Sequence, residues 1–534
     1  MNEPIKLKFR PGINRETTDY GNTGGWYDIN LARWISGSPC SMGGWQKFTT
    51  DQAEGTFRSL FPWSTLDGNR FYAAGTNLKY YIVQGNQLVD ITPIRATSTI
   101  NNNPFAITSG SAVCVVTDTA HGALVNDWVT YAGAVAIGAS NVTAAALNQE
   151  YQITEVVGVD SYKIALTVTS DTTNAGGGGG SVTAAYQISV GLNTSALGNG
   201  YGTGGYGEDG YGEGSGSFAV TAQLRLWTED NFGEDLLFNP RNGPIYYKDM
   251  SGSIGTRAVA LTTLSSTGNI PTVARQIMIS DNDRHVLAFG CNTLGTSVQD
   301  PLLIRWSDTE NMSQWTTDTT NSAGSLTINR GSEFLKAVET TTETLVFTDV
   351  SLHSLRFIGD PYIFGQTVIG TNIQLIGPNA VASTGSLTFW MATGPVFQIY
   401  DGVVHDLDCP IRTYIASILN MDQAEKITTG VNRQFHEVIW LLPVNGSTEL
   451  NFYAVCNFEN PSAPIWYYGS FNDVGRTTWL DAWFEDTPLA ASTDGYIYTH
   501  EYGAADMSGD NPAMLDSYLT SSEFELGNGE NFMI

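Results

Sequence analysis

Apolar residues in this chain come in short runs that alternate with polar ones and are broken every few positions by Gly, Pro, Asn or Asp. A period of two, punctuated this way, predicts β-strands joined by tight turns. The clearest stretch runs from Glu343 to Gly402. Thr344–Thr348 is apolar, Asp349–Ser351 is polar, and Leu352–Ile358 is apolar again. Leu387–Trp390 repeats the pattern, turns at Thr393–Pro395 and returns as Val396–Tyr400. Each half reads as a hairpin, and a lone hairpin leaves its apolar face uncovered. Two in succession therefore point to a repeat.

The same unit recurs. It appears at Arg70–Ala74 with Lys79–Val83, at Asp235–Phe238 with Gly243–Lys248, and at His285–Gly290 with Pro301–Ser307. It returns at His436–Leu442 with Leu450–Cys456, and at Leu489–Ser492 with Asp494–His500. Spacings scatter around the roughly 40–50 residues of a propeller blade. Several units share one strand form, a Gly or Pro followed by alternating apolar and aromatic residues (GPIYYK, GPVFQIY, APIWYY, DGYIY). Alternation puts Ile245 and Tyr247 on one face and Tyr246 on the other, as blades buried on both faces require. The predicted fold is mainly β: a six- to seven-bladed β-propeller-like core with an inserted small β-barrel or sandwich domain and one amphipathic helix. A β-sandwich with many hairpins is the competing reading.

Interruptions divide the chain. Residues 1–55 form an N-terminal arm and propeller-closing segment, and 56–95 a first blade. Residues 96–196 form an inserted small β-domain, rich in Ala, Val and Thr, and 197–223 a Gly/Tyr-rich loop. The remaining blades span 224–503, with a helix near 410–420, and 504–534 is a tail or the start of a further strand. In Asp406–Leu419, Ile411, Tyr414, Ile415, Ile418 and Leu419 make one apolar stripe, and Pro410 suits a first helical turn. The final FELGNGENFMI reads as a strand after a turn, to be completed by further chain or by a neighbour.

The arm carries two Gly-Gly-Trp triplets, ending at Trp26 and Trp45. They either grip a neighbouring subunit or close the propeller. The loop LGNGYGTGGYGEDGYGEGSG places Tyr201, Tyr206 and Tyr211 as rigid amphipathic side chains on a glycine backbone, suited to a partner contact or to a plain linker. Its acids Glu208, Asp209 and Glu213, and the lack of a following Lys-Ser/Thr, exclude a phosphate loop. Trp26, Trp45, Tyr201, Tyr206 and Tyr211 are the candidate partner-contact residues.

Composition sharpens the functional reading. With 25 basic and 53 acidic residues the net charge is −28, which argues against holding nucleic acid by its phosphates. It is compatible with a conduit along which DNA slides without sticking, or with solubility alone. The five cysteines, Cys40, Cys114, Cys291, Cys409 and Cys456, are far apart and read as free, small apolar residues. No run of about 18 apolar residues predicts a membrane-spanning helix, and the start MNEPIKLKF lacks the pattern of a signal peptide. The six histidines form no metal-ligand spacing, and no nucleophile-elbow motif occurs. The acids of SDNDRH and HDLDC fall short of a calcium loop. No enzyme, catalytic residue, metal or cofactor is predicted. Since propellers can carry paired carboxylates in a central funnel, a glycan-binding or glycan-cleaving β-propeller is the alternative.

Several stretches together resemble the tail nozzle, or tail hub, proteins of short-tailed bacteriophages, the packaged-DNA stabilisation family. They are FRPGINRETTDYGNTGGWYDINLARW with GGWQKF, the Gly-Tyr run before LWTEDNFGEDLL, IRWSDTENMSQW, and LVFTDVSLHSLRFIGDPYIFG with FWMATGPVFQIYDG. The resemblance covers most of residues 9–420 and, more weakly, the rest. It implies a structural virion protein, assembled in the host cytoplasm and located in the phage tail. The implied assembly is a homohexamer below the head-to-tail adaptor ring that closes the channel, retains packaged DNA and conducts it at ejection. Implied partners are the adaptor, tail fibres or spikes, a needle or plug, and passing double-stranded DNA bound without sequence specificity. A tail-fibre attachment protein with three-fold symmetry is a related reading.

Overall fold

The computed structural model describes residues 8–195, 223–281, 283–471, 474–509, 511–525 and 532–533. The chain is a seven-bladed β-propeller. Six blades are four-stranded antiparallel sheets in chain order, spanning 61–90, 227–260, 276–327, 334–371, 381–406 and 428–469. The seventh is composite: Leu489–Ala491 and Ile497–His500 are followed in space by Trp45–Lys47 from the arm, then by Ala505–Met507 and Ala513–Met514.

Each blade begins as the sequence pattern demands. In the second, Trp227–Phe232 pairs with Asp235–Pro240 across the two-residue turn Gly233–Glu234. Gly233 has φ +68, a conformation that glycine adopts without steric cost. The next strand, Tyr246–Lys248, divides its side chains between two inter-blade cores. Tyr246 packs with Tyr80 and Phe238 against the first blade, while Ile245 and Tyr247 pack with Ile277 and Val286 against the third. The predicted alternation is thus realised, with apolar layers between successive blades.

The ring is closed by the arm. Trp45–Lys47 pairs antiparallel with Ile497–His500 and in parallel with Ala505–Met507. Gly43 and Gly44 permit this: a Cβ at Gly44 would lie 2.0 Å from the Ala505 carbonyl oxygen, and one at Gly43 2.5 Å from Glu501 Cα. Earlier in the arm, Trp26–Asn30 pairs with Tyr518–Ser521. One chain end therefore crosses to meet the other.

Between the first and second blades, residues 94–187 form a separate eight-stranded antiparallel sheet around its own core. Buried Tyr131, Tyr162 and Tyr186 pass hydroxyl hydrogen bonds along to Asp118. His121 is a turn residue: its Nδ1 accepts the Ala123 N–H at 3.0 Å. The helix, Arg412–Ile418, is shorter than the predicted Asp406–Leu419, and Val404–Asp406 is instead the outer strand of the fifth blade. Its stripe does face inward through Ile411 and Ile415. A second, one-turn helix, Ala144–Leu147, lies in the insert. All five cysteines are free, and only Cys40 is not fully buried.

Candidate functional site

Two places concentrate polar chemistry: the clamp that fastens the arm, and the axial cavity. In the clamp, Arg33 is 2% exposed and lies between Glu437 and Glu501. Its guanidinium also stacks on Phe435, 3.9 Å from the ring centre. Burial works to lower the Arg33 pKa, but the two carboxylates overcome it and hold Arg33 above its ordinary value. Burial pushes the Glu437 carboxyl up to about 7, although Arg33 and the donated Tyr467 hydroxyl oppose it. Beside the clamp, Arg476 Nε donates to His500 Nε2 at 2.8 Å. Burial and the neighbouring guanidiniums hold His500 well below its usual pKa, so it is a neutral acceptor.

Farther out, Arg15 stacks on Tyr27 and Tyr414. Glu16 accepts from the Thr413 backbone N–H at 2.8 Å and from its hydroxyl at 2.7 Å, at the start of the helix.

The axial cavity holds about 270 Å³ and is lined by all seven blades. Ser59, Glu229, Gln276, Lys336, Asn379, Thr429 and Thr478 reach it from successive innermost segments, with the Trp227 and Trp479 indoles alongside. Ser59, Gln276 and Thr478 are buried, while Glu229, Lys336, Asn379 and Thr429 keep part of their surface open to the cavity. Burial pushes Glu229 up to about 7, against the pull of the Ser59 and Tyr80 hydroxyls and of Lys336. It pushes Asp230 to about 7 too, despite the N–H groups of Ile279 and Asn231 that its carboxylate accepts. The Lys336 ammonium is driven down to about 8 by burial and keeps one side-chain partner, Asn379 Oδ1 at 3.0 Å. At the cavity edge, Arg58 Nη2 is taken by Glu449 at 2.7 Å, and Glu449 also accepts from Lys426 at 2.8 Å.

The candidate contact residues lie apart from these two places. Trp45, read as either a partner contact or a propeller-closing residue, is 2% exposed and packs on Phe471 and His500 inside the closing blade. Trp26 is half-buried, 4.7 Å from the Phe9 ring. Tyr201, Tyr206 and Tyr211 lie outside the described residues. Sequence reading passed over Arg58, Glu229, Lys336 and Asn379. The available signal was positional: each stands shortly before a predicted hairpin, where a polar group interrupts the apolar rhythm. Among the described residues no group of three or more His, Cys, Asp or Glu could hold a metal ion, and no helix is long and apolar enough to cross a membrane.

No family model and no curated protein matches the chain. Among solved structures it is similar to Hsv2 of Kluyvelomyces marxianus, with a TM-score of 0.29 and 9% identity over 53% of this chain and 73% of that one. A likeness so slight bears on no functional question.

Proposed function

We propose that the chain is a structural subunit of a short-tailed phage tail: the nozzle, six copies of which form a tube below the adaptor ring. The tube closes the channel after packaging, retains DNA and conducts it at ejection, with fibres or spikes on its flanks and a needle or plug at its tip. The observation that carries this reading is the set of resembling stretches, which occupy consecutive parts of one scaffold. FRPGINRETTDYGNTGGWYDINLARW and GGWQKF belong to the arm and its closing strand. LWTEDNFGEDLL builds the first hairpin of the second blade, and IRWSDTENMSQW extends the third strand of the third blade. LVFTDVSLHSLRFIGDPYIFG and FWMATGPVFQIYDG build the central hairpins of the fourth and fifth.

The charge of −28 fits a tube wall that repels phosphate and so leaves DNA mobile. A clamp of buried ions and a composite seventh blade suit a part that must stay closed under load. The test is depletion. Particles assembled without the chain should lose packaged DNA, and adding the purified chain should restore retention. Stable DNA-filled particles in its absence would count against the proposal.

A further inference from the structure

The axial cavity carries charge that the protein itself leaves incompletely answered. Lys336 can donate three hydrogen bonds, and its one side-chain partner is Asn379 Oδ1. Glu229 faces the same cavity; it and Lys336 attract each other without a direct ion pair, and Glu229 Oε1 has no hydrogen-bond partner. Arg58, 4% exposed, lines the cavity as well; its Nε and Nη1 are unpartnered. The Thr429 hydroxyl is also buried without a partner. Groups of both signs that line one cavity without direct partners favour a species that bridges them. The bridging species must carry an acceptor anion for the Lys336 side and a cationic donor for Glu229. A volume of about 270 Å³ holds a molecule of several heavy atoms rather than a peptide.

We propose that the axial cavity is a binding site for a small zwitterion of the size and chemistry of a free α-amino acid. Its carboxylate would meet Lys336 and the Asn379 amide, and its ammonium would meet Glu229. Trp227 and Trp479 form part of the wall, so an apolar side chain would have surface to cover. The near-neutral titration of Glu229 and Lys336 is consistent with charges that await a partner. A neutral polyol would satisfy hydrogen bonds but leave both charges unmatched. This site is independent of any tube the chain builds, and it would stand if the nozzle reading fell.

The test uses the purified full-length protein and free α-amino acids, screened by saturation-transfer difference NMR and followed by titration calorimetry. At least one amino acid should bind. Its N-acetyl derivative, which lacks the ammonium, and its carboxamide, which lacks the carboxylate, should each bind about tenfold more weakly or worse, as loss of a charged hydrogen bond implies. Glu229→Gln should weaken the parent amino acid but leave the weak N-acetyl derivative unchanged. Matching circular dichroism and thermal unfolding of Glu229→Gln and the parent protein guard against misfolding as the cause of weaker binding. No binding by any amino acid would overturn the proposal. So would equal binding of the blocked derivatives, or binding of glucose in place of amino acids, which would turn attention to the glycan reading.

Discussion

Arg33 in the N-terminal arm lies 3.0 Å from Glu437 in the sixth blade, and both side chains are sealed from solvent. Glu501, beyond the seventh blade's second strand, holds the other side of the same guanidinium. One arginine therefore ties the start of the chain to its last two blades. Breaking a buried pair on one side leaves an uncompensated charge, a loss of about 3–5 kcal/mol. Arg33→Met should cost about that much in urea unfolding. Adding Glu437→Gln should recover part of the loss, because one stranded carboxylate disappears. A double-mutant cycle measures the coupling.

The closing strand depends on two missing side chains. Gly44→Ala would place a Cβ 2.0 Å from the Ala505 carbonyl. The strand must then move, and the expected loss is about 3 kcal/mol, at the upper end for overpacking. Hydrogen exchange should report early opening of Trp45–Lys47 and Ile497–His500, with the blades at 276–371 keeping their protection.

The cavity should contribute to the pH dependence of stability, alongside Glu437 in the clamp, which burial also raises to about 7. Glu229 rises from 4.5 to about 7 on folding, so the native state binds the extra proton. Its contribution is fully present below about 4.5 and is lost as pH rises through about 7. Lys336 falls from 10.5 to about 8, so the cost of its charge is present below about 8 and is relieved as pH climbs toward 10.5. Glu229→Gln should flatten the decline between pH 4.5 and 7, and Lys336→Met should remove the recovery above pH 8, both read from urea midpoints across pH.

The insert is bolted to the propeller by four charges. Arg257 bonds Asp90 at 3.1 Å and Glu150 at 3.0 Å, and Lys79 pairs with the same two carboxylates. The carboxylates are partly exposed, so screening limits the worth of each pair. Glu150→Ala should lower stability by about 1–2 kcal/mol, within the ordinary range for a point change, and less in high salt. The insert's own core should stay folded, seen as unchanged exchange protection at Glu150–Gly158 and Ser161–Ala165.

The hairpins were legible because each has a strong alternating signal, and all seven predicted units occupy blades. Ile245, Tyr246 and Tyr247 sort between two cores as their order predicts. The innermost strands were not legible. Thr228, Glu229 and Asp230 read locally as a polar connector, yet they lie in the innermost strand of the second blade, where Thr228 and Asp230 accept from the Ile277 and Ile279 N–H groups of the third blade and Glu229 faces the first. Closure by the arm was one of two readings of the Gly-Gly-Trp triplets, but the pairing of Trp45 with His500 was hidden, since they are neighbours only through the ring. The helix follows its stripe from Ile411, but Asp406, read as its start, pairs instead in the outer strand of the fifth blade.

The central claim is that this chain builds a tube, and rotational symmetry tests it most directly. Electron-microscopy class averages of the purified protein, or of isolated tails, should show a six-fold ring with a through-channel. A monomeric propeller, or a three-fold particle without a channel, would contradict the nozzle reading.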